Sequence, residues 1–389
     1  MPPGSALRSA LAAATADRII LDLGGVVDTH DDLVRELPGV AVRFAVKACP
    51  VDDVLGALAR AGAGFDAASP NEIAQALRTG VPPDRVHYGN TVKSDRDIAR
   101  AYRRGIRLFA TDCVEDVRAI AAHAPGSRVF CRLATPGAGA LWGLSDKYGC
   151  SVPDAVEVLA AARAHGLVPA GLSLHVGSQQ MTVAAWRDAF ADLATAIIAL
   201  DAHGIRLDLI NLGGGLPALG YRDRHGRPLR PPMDSIVDAI RDGMRRLRTV
   251  SGGPLDFVLE PGRRLVADQG AIRAHAVRLT QRGRERWLYL SCGRFNGLYE
   301  LDQIQYRLEF PTHPAGPWVP ARVAGPTCDS DDAFGAEGTV FVPAGLVSGD
   351  PVWIRSAGAY SVSYSTVGFN GFDPLPIETV GARAEAAAC

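Results

Sequence analysis

Eight short apolar or β-branched runs, separated by helical stretches over residues 42–260, constrain this chain more than any other feature. The runs are Val42–Ala48, Gly64–Ala68, Val86–Gly89, Leu108–Asp112, Arg128–Ala134, Gly171–Val176, Leu207–Leu212 and Phe257–Glu260. Amphipathic or alanine-rich segments lie between them: Val51–Ala61, Pro70–Thr79, Ser94–Arg104, Val114–Ala122, Pro153–His165, Val183–His203 and Met233–Val250. Strand–helix alternation builds parallel sheets, because each helix returns the chain across the sheet face. Eight units in roughly 240 residues is the size of a (β/α)8 TIM barrel. An open doubly wound sheet would alternate in the same way, and the strand count favours the barrel. Helix punctuation agrees. Ser69-Pro70-Asn71-Glu72 offers an N-cap serine, a proline at the first helical position and a glutamate three residues after the cap.

The texture changes after about Val266. Helical periodicity fades, and β-type runs appear at Ala271–Leu279, Trp287–Ser291, Trp318–Ala324, Gly338–Val342 and Pro351–Arg355, with Gly/Pro-rich turns between them. The expectation is an α/β chain: a barrel over residues 24–266 and an all-β domain over 267–389, joined by residues 1–23 through the strand-like Asp17–Leu23.

A net charge of −1 with no long basic run gives no reason to expect nucleic acid or an anionic membrane as partner. Seven cysteines, an odd number without CxxC spacing, fit a reducing compartment better than a disulfide framework. No run reaches the ~18 apolar residues of a membrane span. Met1–Ala16 lacks the continuous apolar core of a signal peptide. A cytoplasmic location is expected.

Lys47 carries the first chemical signal. It is one of three lysines, and it closes a run that reads as a buried strand. A desolvated amine has a lowered pKa and condenses with aldehydes, which is how pyridoxal phosphate (PLP) is held. Downstream, Gly213-Gly214-Gly215 follows a strand, and its bare backbone N–H groups suit a phosphate. An isolated triglycine is also an ordinary flexible turn. Arg263 is a natural second phosphate ligand, or else a surface arginine. Glu260 ends the run Phe257–Leu259 and needs a partner if buried; either a pyridine nitrogen or Arg263 or Arg264 would serve. His175 reads as a core histidine or, with Gly177 and Ser178 following, as a face against which a flat ring stacks. Cys328-Asp329 lies in a turn-rich acidic stretch, where a thiol suits proton donation better than nucleophilic attack. Asp331 and Asp332 read as an exposed acidic loop. The histidines are too dispersed for a metal site.

Each motif is common alone; their order is specific. FAVKAC, GFDAASPNEI, SLHVGSQ, NLGGGLP, EPGRRLVA, GPTCDSDD and GAYS together resemble the alanine-racemase-like PLP enzymes, and within them the ornithine/lysine/diaminopimelate decarboxylase family. The resemblance runs from about Leu21 to Pro376. It implies a PLP-binding barrel with a β domain, and Lys47 linked covalently to the cofactor. It further implies His175 on the ring face, Glu260 on the ring nitrogen and Asp66 near Lys47. Arg132, Ser178, Gly214, Gly215, Gly262, Arg263 and Tyr360 would complete the cofactor contacts. Cys328 would protonate the product carbon and Asp329 would meet the substrate's distal ammonium, both supplied across a homodimer interface. Phe295–Glu300 resembles the bacterial ornithine/lysine branch and implies Tyr299 and Glu300 near the substrate.

The implied activity is decarboxylation of ornithine, lysine or a close derivative to an amine. Arg222, Arg224, Arg227, Arg230 and Arg294 leave room for a modified substrate such as diaminopimelate, carboxynorspermidine or an N-acylated ornithine. A racemase on the same scaffold would want a cation at the ring nitrogen, and Glu260 speaks against it. A non-catalytic homologue acting as a binding protein would have no need of Lys47, His175, Glu260, Arg263 and Cys328.

Overall fold

A computed structural model describes residues 4–143, 147–334 and 339–382. The eight runs form a closed parallel barrel of Val40–Ala45, Gly64–Ala67, Val86–Tyr88, Leu108–Thr111, Arg128–Arg132, Val168–Ser173, Leu209–Asn211 and Asp256–Leu259. The last strand pairs with the first, Phe257 opposite Val40 and Leu259 opposite Val42, and this closes the ring. All seven helices expected between the strands are present, from Asp52–Arg60 to Met233–Ser251. Their apolar faces bury Val54, Ile73, Ile98, Ile120, Leu159, Leu193 and Ile240 against the strands. Ser69 caps Pro70–Arg78 as expected: its Oγ accepts from Glu72 N at 3.2 Å, while Glu72 Oε2 accepts from Ala68 N at 2.6 Å.

An additional helix, Leu23–Glu36, precedes the barrel. It starts at Leu23-Gly24-Gly25, where the two glycines favour helix poorly, and the Asp22 carboxylate accepts from Gly25 N at 3.1 Å and caps it.

The second unit is a sheet of eight strands built on the long strand Gly270–Arg282. Arg18–Asp22 enters it, antiparallel to Gly270–Arg282 and parallel to Ile377–Val380. The helix Ser5–Ala13 covers this edge, with Leu7 and Leu11 packed on Ile20 and Ala271. One expected strand begins in the sequence at Gly338, outside the described residues; its remainder is Val340–Pro343. A two-stranded antiparallel sheet, Ala140–Trp142 with Ser178–Gln180, was not evident in the sequence and brings Trp142 against Arg263. Among the described residues, no helix is long and apolar enough to cross a membrane.

Candidate active site

The C-terminal ends of the barrel strands gather Lys47, Asp66, His175 and Glu260 around one cleft, with Ser178 from the strand Ser178–Gln180 beside them. Gly214, Gly215, Gly262, Arg263 and Tyr360 complete its wall.

Lys47 departs from expectation. The first strand ends at Ala45, and Lys47 sits in the 3-10 turn Val46–Ala48 that follows. Its side chain projects into the open cleft and is 49% exposed, with Nζ 3.9 Å from Asp66 Oδ2. The expected lowering of its pKa is corrected too. Burial alone would lower it, but Asp66, Tyr360 and Glu260 outweigh burial and hold the ammonium form above its usual range.

Behind Lys47 lies a buried polar cluster. Asp66 is 4% exposed, and its carboxyl is held below the usual range: burial raises it, but His87, Lys47 and Arg132 prevail. His87, fully buried on the third strand, brings Nε2 within 2.7 Å of Glu260 Oε1 and 3.3 Å of Asp66 Oδ1. Asn211 Nδ2 donates to the same Glu260 oxygen at 2.5 Å. Glu260 is therefore satisfied by His87 and Asn211, not by Arg263 or Arg264. Sequence reasoning missed His87 and Asn211; a histidine in a three-residue apolar strand was the available signal. Asp66, His87 and Glu260 lie close enough to hold a metal ion. The neighbouring Lys47, Arg43 and Arg132 already supply positive charge there, so the cluster reads as a hydrogen-bond network.

His175 follows the sixth strand. Its Nδ1 accepts from Gly177 N at 3.0 Å, which leaves the ring hydrogen on Nε2. Burial, then Arg132 and Lys47, push its pKa down to about 3, so it is a neutral flat ring. Arg132 closes the fifth strand and stacks on Tyr148 at 4.9 Å, and burial lowers its pKa.

The other end of the cleft is built of bare glycine backbone and the Arg263 guanidinium. The triglycine turn requires glycine: Gly215 has φ +114°, and a Cβ there would lie 2.6 Å from Val176 Cγ2 and 2.7 Å from Gly177 O. Arg263 donates to Ser178 Oγ through Nε at 3.2 Å and Nη2 at 3.1 Å, and to Tyr221 Oη at 2.9 Å. Trp142 and Tyr360 face its guanidinium at 4.3 and 4.7 Å. Tyr360 adopts φ +62°, a strained conformation for a bulky residue. Glu300, expected near the substrate, is buried and places both oxygens on Arg263. Tyr299 is exposed and packs on Tyr364, with ring centroids 4.5 Å apart.

Cys328 and Asp329 are not brought to this cleft. Cys328 is exposed, donates to Asn370 Oδ1 at 3.2 Å and lines a separate hollow with Asp17, His275, Tyr289 and Phe372. Asp332 is no exposed acid, contrary to the reading of its loop. It is 2% exposed and accepts from Arg294 N, Thr327 N and Thr327 Oγ1, so it sets the shape of the turn that presents Cys328.

The family model for the pyridoxal-dependent decarboxylase pyridoxal-binding domain matches residues 23–267. The chain belongs to the pyridoxal-dependent decarboxylase family. It is 29% identical over 361 residues to the lysine/ornithine decarboxylase of Selenomonas ruminantium, covering 92% of this chain and 88% of that one. Its fold matches SrLDC in complex with PLP and cadaverine at a TM-score of 0.84 and 26% identity, over 95% of this chain and 92% of that one. The lysine/ornithine decarboxylase of Vibrio vulnificus complexed with putrescine gives 0.83 and 25%, over 96% of both chains. PLP is the cofactor of this family. The cleft suits it, with a flat neutral ring in His175, an acid in Glu260, an amine in Lys47 and a cup of glycines and arginine at the far end.

Proposed function

We propose that this decarboxylase converts a basic L-amino acid, ornithine or lysine or a close derivative, to its amine and CO₂. The observation that carries the reading is the acid Glu260 in the same cleft as Lys47. An acid at a pyridine nitrogen favours that nitrogen's protonated form, which decarboxylation needs and a racemase avoids.

In this reading Lys47 would hold the cofactor covalently, His175 would lie along its ring and Glu260 would take the ring nitrogen. Ser178, Gly214, Gly215 and Arg263 would hold its phosphate, with Asp66, Arg132, Gly262 and Tyr360 around them. Bound PLP supplies an electron sink for the pair left at Cα when CO₂ departs. The residues of the cleft would hold the substrate in one orientation against it, so that the carboxylate is the group that leaves. Cys328 would donate a proton to Cα, and Asp329 would pair with the distal ammonium once water is excluded. Both would act on the site of a second copy of the chain, since Cys328 is exposed and lines a different hollow from Lys47.

Incubating the PLP-loaded protein with ornithine, lysine, arginine, diaminopimelate, carboxynorspermidine and N-acylated ornithines, with CO₂ and amine measured, tests the substrate. Turnover of ornithine or lysine well above the rest is expected. Turnover of only an acylated or dicarboxylic substrate would move the reading to a modified amino acid, and racemisation without CO₂ would overturn it.

A further inference from the structure

The buried imidazole of His87 lies outside the set of groups assigned above. Three charged groups face it. Glu260 and Asp66 approach Nε2 at 2.7 and 3.3 Å, and Arg43 Nη1, from the first barrel strand, approaches Nδ1 at 3.0 Å. A guanidinium only donates, so Nδ1 must present its lone pair and the ring hydrogen belongs on Nε2. One hydrogen cannot serve two carboxylates. The shorter contact goes to Glu260, and Asp66 Oδ1 is left buried without a hydrogen-bond partner. Asn211 Nδ2 donates to the same Glu260 oxygen, so both donors converge on Oε1 and leave Oε2 for another donor.

This arrangement has an electronic consequence. Hydrogen bonds donated to a carboxylate favour its ionised form. A proton shared between Glu260 and a pyridine nitrogen then resides on the nitrogen. Removing one donor shifts that proton toward the carboxyl and weakens the ring as an electron sink.

We propose that His87 is a positioning residue: its Nε2–H pins Glu260 Oε1, turns Oε2 to the cofactor's ring nitrogen and keeps that nitrogen protonated. The proposal rests on Glu260 being the ring nitrogen's partner. His87 would touch neither substrate nor cofactor and would act through Glu260 alone. Asp66 Oδ1 lies close over the bare backbone of Gly89, where a Cβ would come within 1.9 Å of it, so a side chain at position 89 would crowd this carboxylate.

The test loads the wild type, His87→Leu, His87→Gln and Glu260→Gln with PLP labelled with ¹⁵N in the ring and reads the nitrogen's chemical shift. Steady-state kcat and KM are measured beside it. His87→Leu should move the signal toward the unprotonated position and lower kcat about tenfold with KM unchanged, the scale common for partners behind a directly acting group. His87→Gln, whose amide donates from a similar place, should restore both. A wild-type signal in His87→Leu overturns the proposal, as does a loss that His87→Gln shares in full. Glu260→Gln separates the two levels. If it leaves the signal unchanged, the assignment of Glu260 fails and the proposal with it; if it moves the signal while His87→Leu does not, the role of His87 alone fails. Should His87→Leu not fold, ¹⁵N-histidine labelling of the loaded wild type still decides. Hydrogen on Nε2 alone supports the proposal, and a ring protonated at Nδ1 overturns it.

Discussion

Arg263 and Glu300 are joined by two hydrogen bonds, Nη1 to Oε2 at 2.5 Å and Nη2 to Oε1 at 2.6 Å, with both side chains buried. The arginine proposed for the cofactor's phosphate therefore already carries a carboxylate. Two anions on one guanidinium oppose each other, yet breaking a buried pair strands the remaining charge. Glu300→Gln should lower the stability of the cofactor-free protein by about 3–5 kcal/mol. It should also enlarge the stabilisation given by inorganic phosphate or PLP. Urea unfolding with and without each ligand measures both effects. Equal ligand effects in mutant and wild type would mean that Glu300 and the phosphate do not meet at Arg263.

Asp66 governs how readily Lys47 reacts. It is the nearest of the carboxylates that hold the Lys47 ammonium above its usual range, and only the free amine attacks an aldehyde. Covalent loading of PLP should accelerate with rising pH as the amine loses its proton. Asp66→Asn should lower that pKa and carry the whole rate profile to lower pH. At neutral pH loading then quickens, about tenfold for every pH unit that the profile moves. Stopped-flow absorbance against pH reads the rate, and an unmoved profile would mean that other groups set the amine's charge.

His175 contributes to acid lability. Its pKa is pushed down to about 3 by burial, then by Arg132 and Lys47, while in the unfolded chain it titrates near its ordinary value of 6.5. As pH falls between those values, the unfolded state gains a proton that the folded state refuses, and stability drops. His175→Phe, which keeps a flat ring, should flatten this slope by up to about 1.4 kcal/mol per pH unit. Urea titrations at pH 4, 5 and 7 check the sign. A slope unchanged by the mutation would show the loss to come from other groups.

Sharing of sites between two copies is tested by complementation. Lys47→Ala and Cys328→Ala should each be inactive or produce abortive products. After proven subunit exchange at equal mixing, about a quarter of wild-type sites should return, because half the dimers are hybrids with one intact site each. No recovery would mean that each chain supplies its own Cys328.

All eight barrel strands were legible because strands buried on both faces read as continuous β-branched runs. Their ends were less so. Val46, Ala48 and Cys49 continue the apolar run past Ala45, and nothing local announces the turn that carries Lys47. The helix from Leu23 was hidden by two glycines whose cap is a side chain in the preceding strand. The groups proposed for the cofactor were visible through their motifs, but their charges were not. The pKa of Lys47 depends on Asp66 and Glu260, and His87 acquires meaning only through Arg43, Asp66 and Glu260, each on a different strand or at its end. Asp332 looked like an exposed acid for the same reason, since the backbone amide of Arg294 that it binds lies 38 residues away.

The pairing of the first barrel strand with the eighth has a consequence for biosynthesis. Lys47 emerges early, whereas Glu260 and Arg263 emerge after the last strand that closes the ring. Arg18–Asp22 waits longer still, for partners at Gly270–Arg282 and Ile377–Val380. A nascent or truncated chain thus exposes the reactive amine with no cleft around it, and long-range closure of this kind is slow. Cofactor capture should mark chains that have finished both the ring and the outer sheet, making the bound vitamin a late seal on completed molecules.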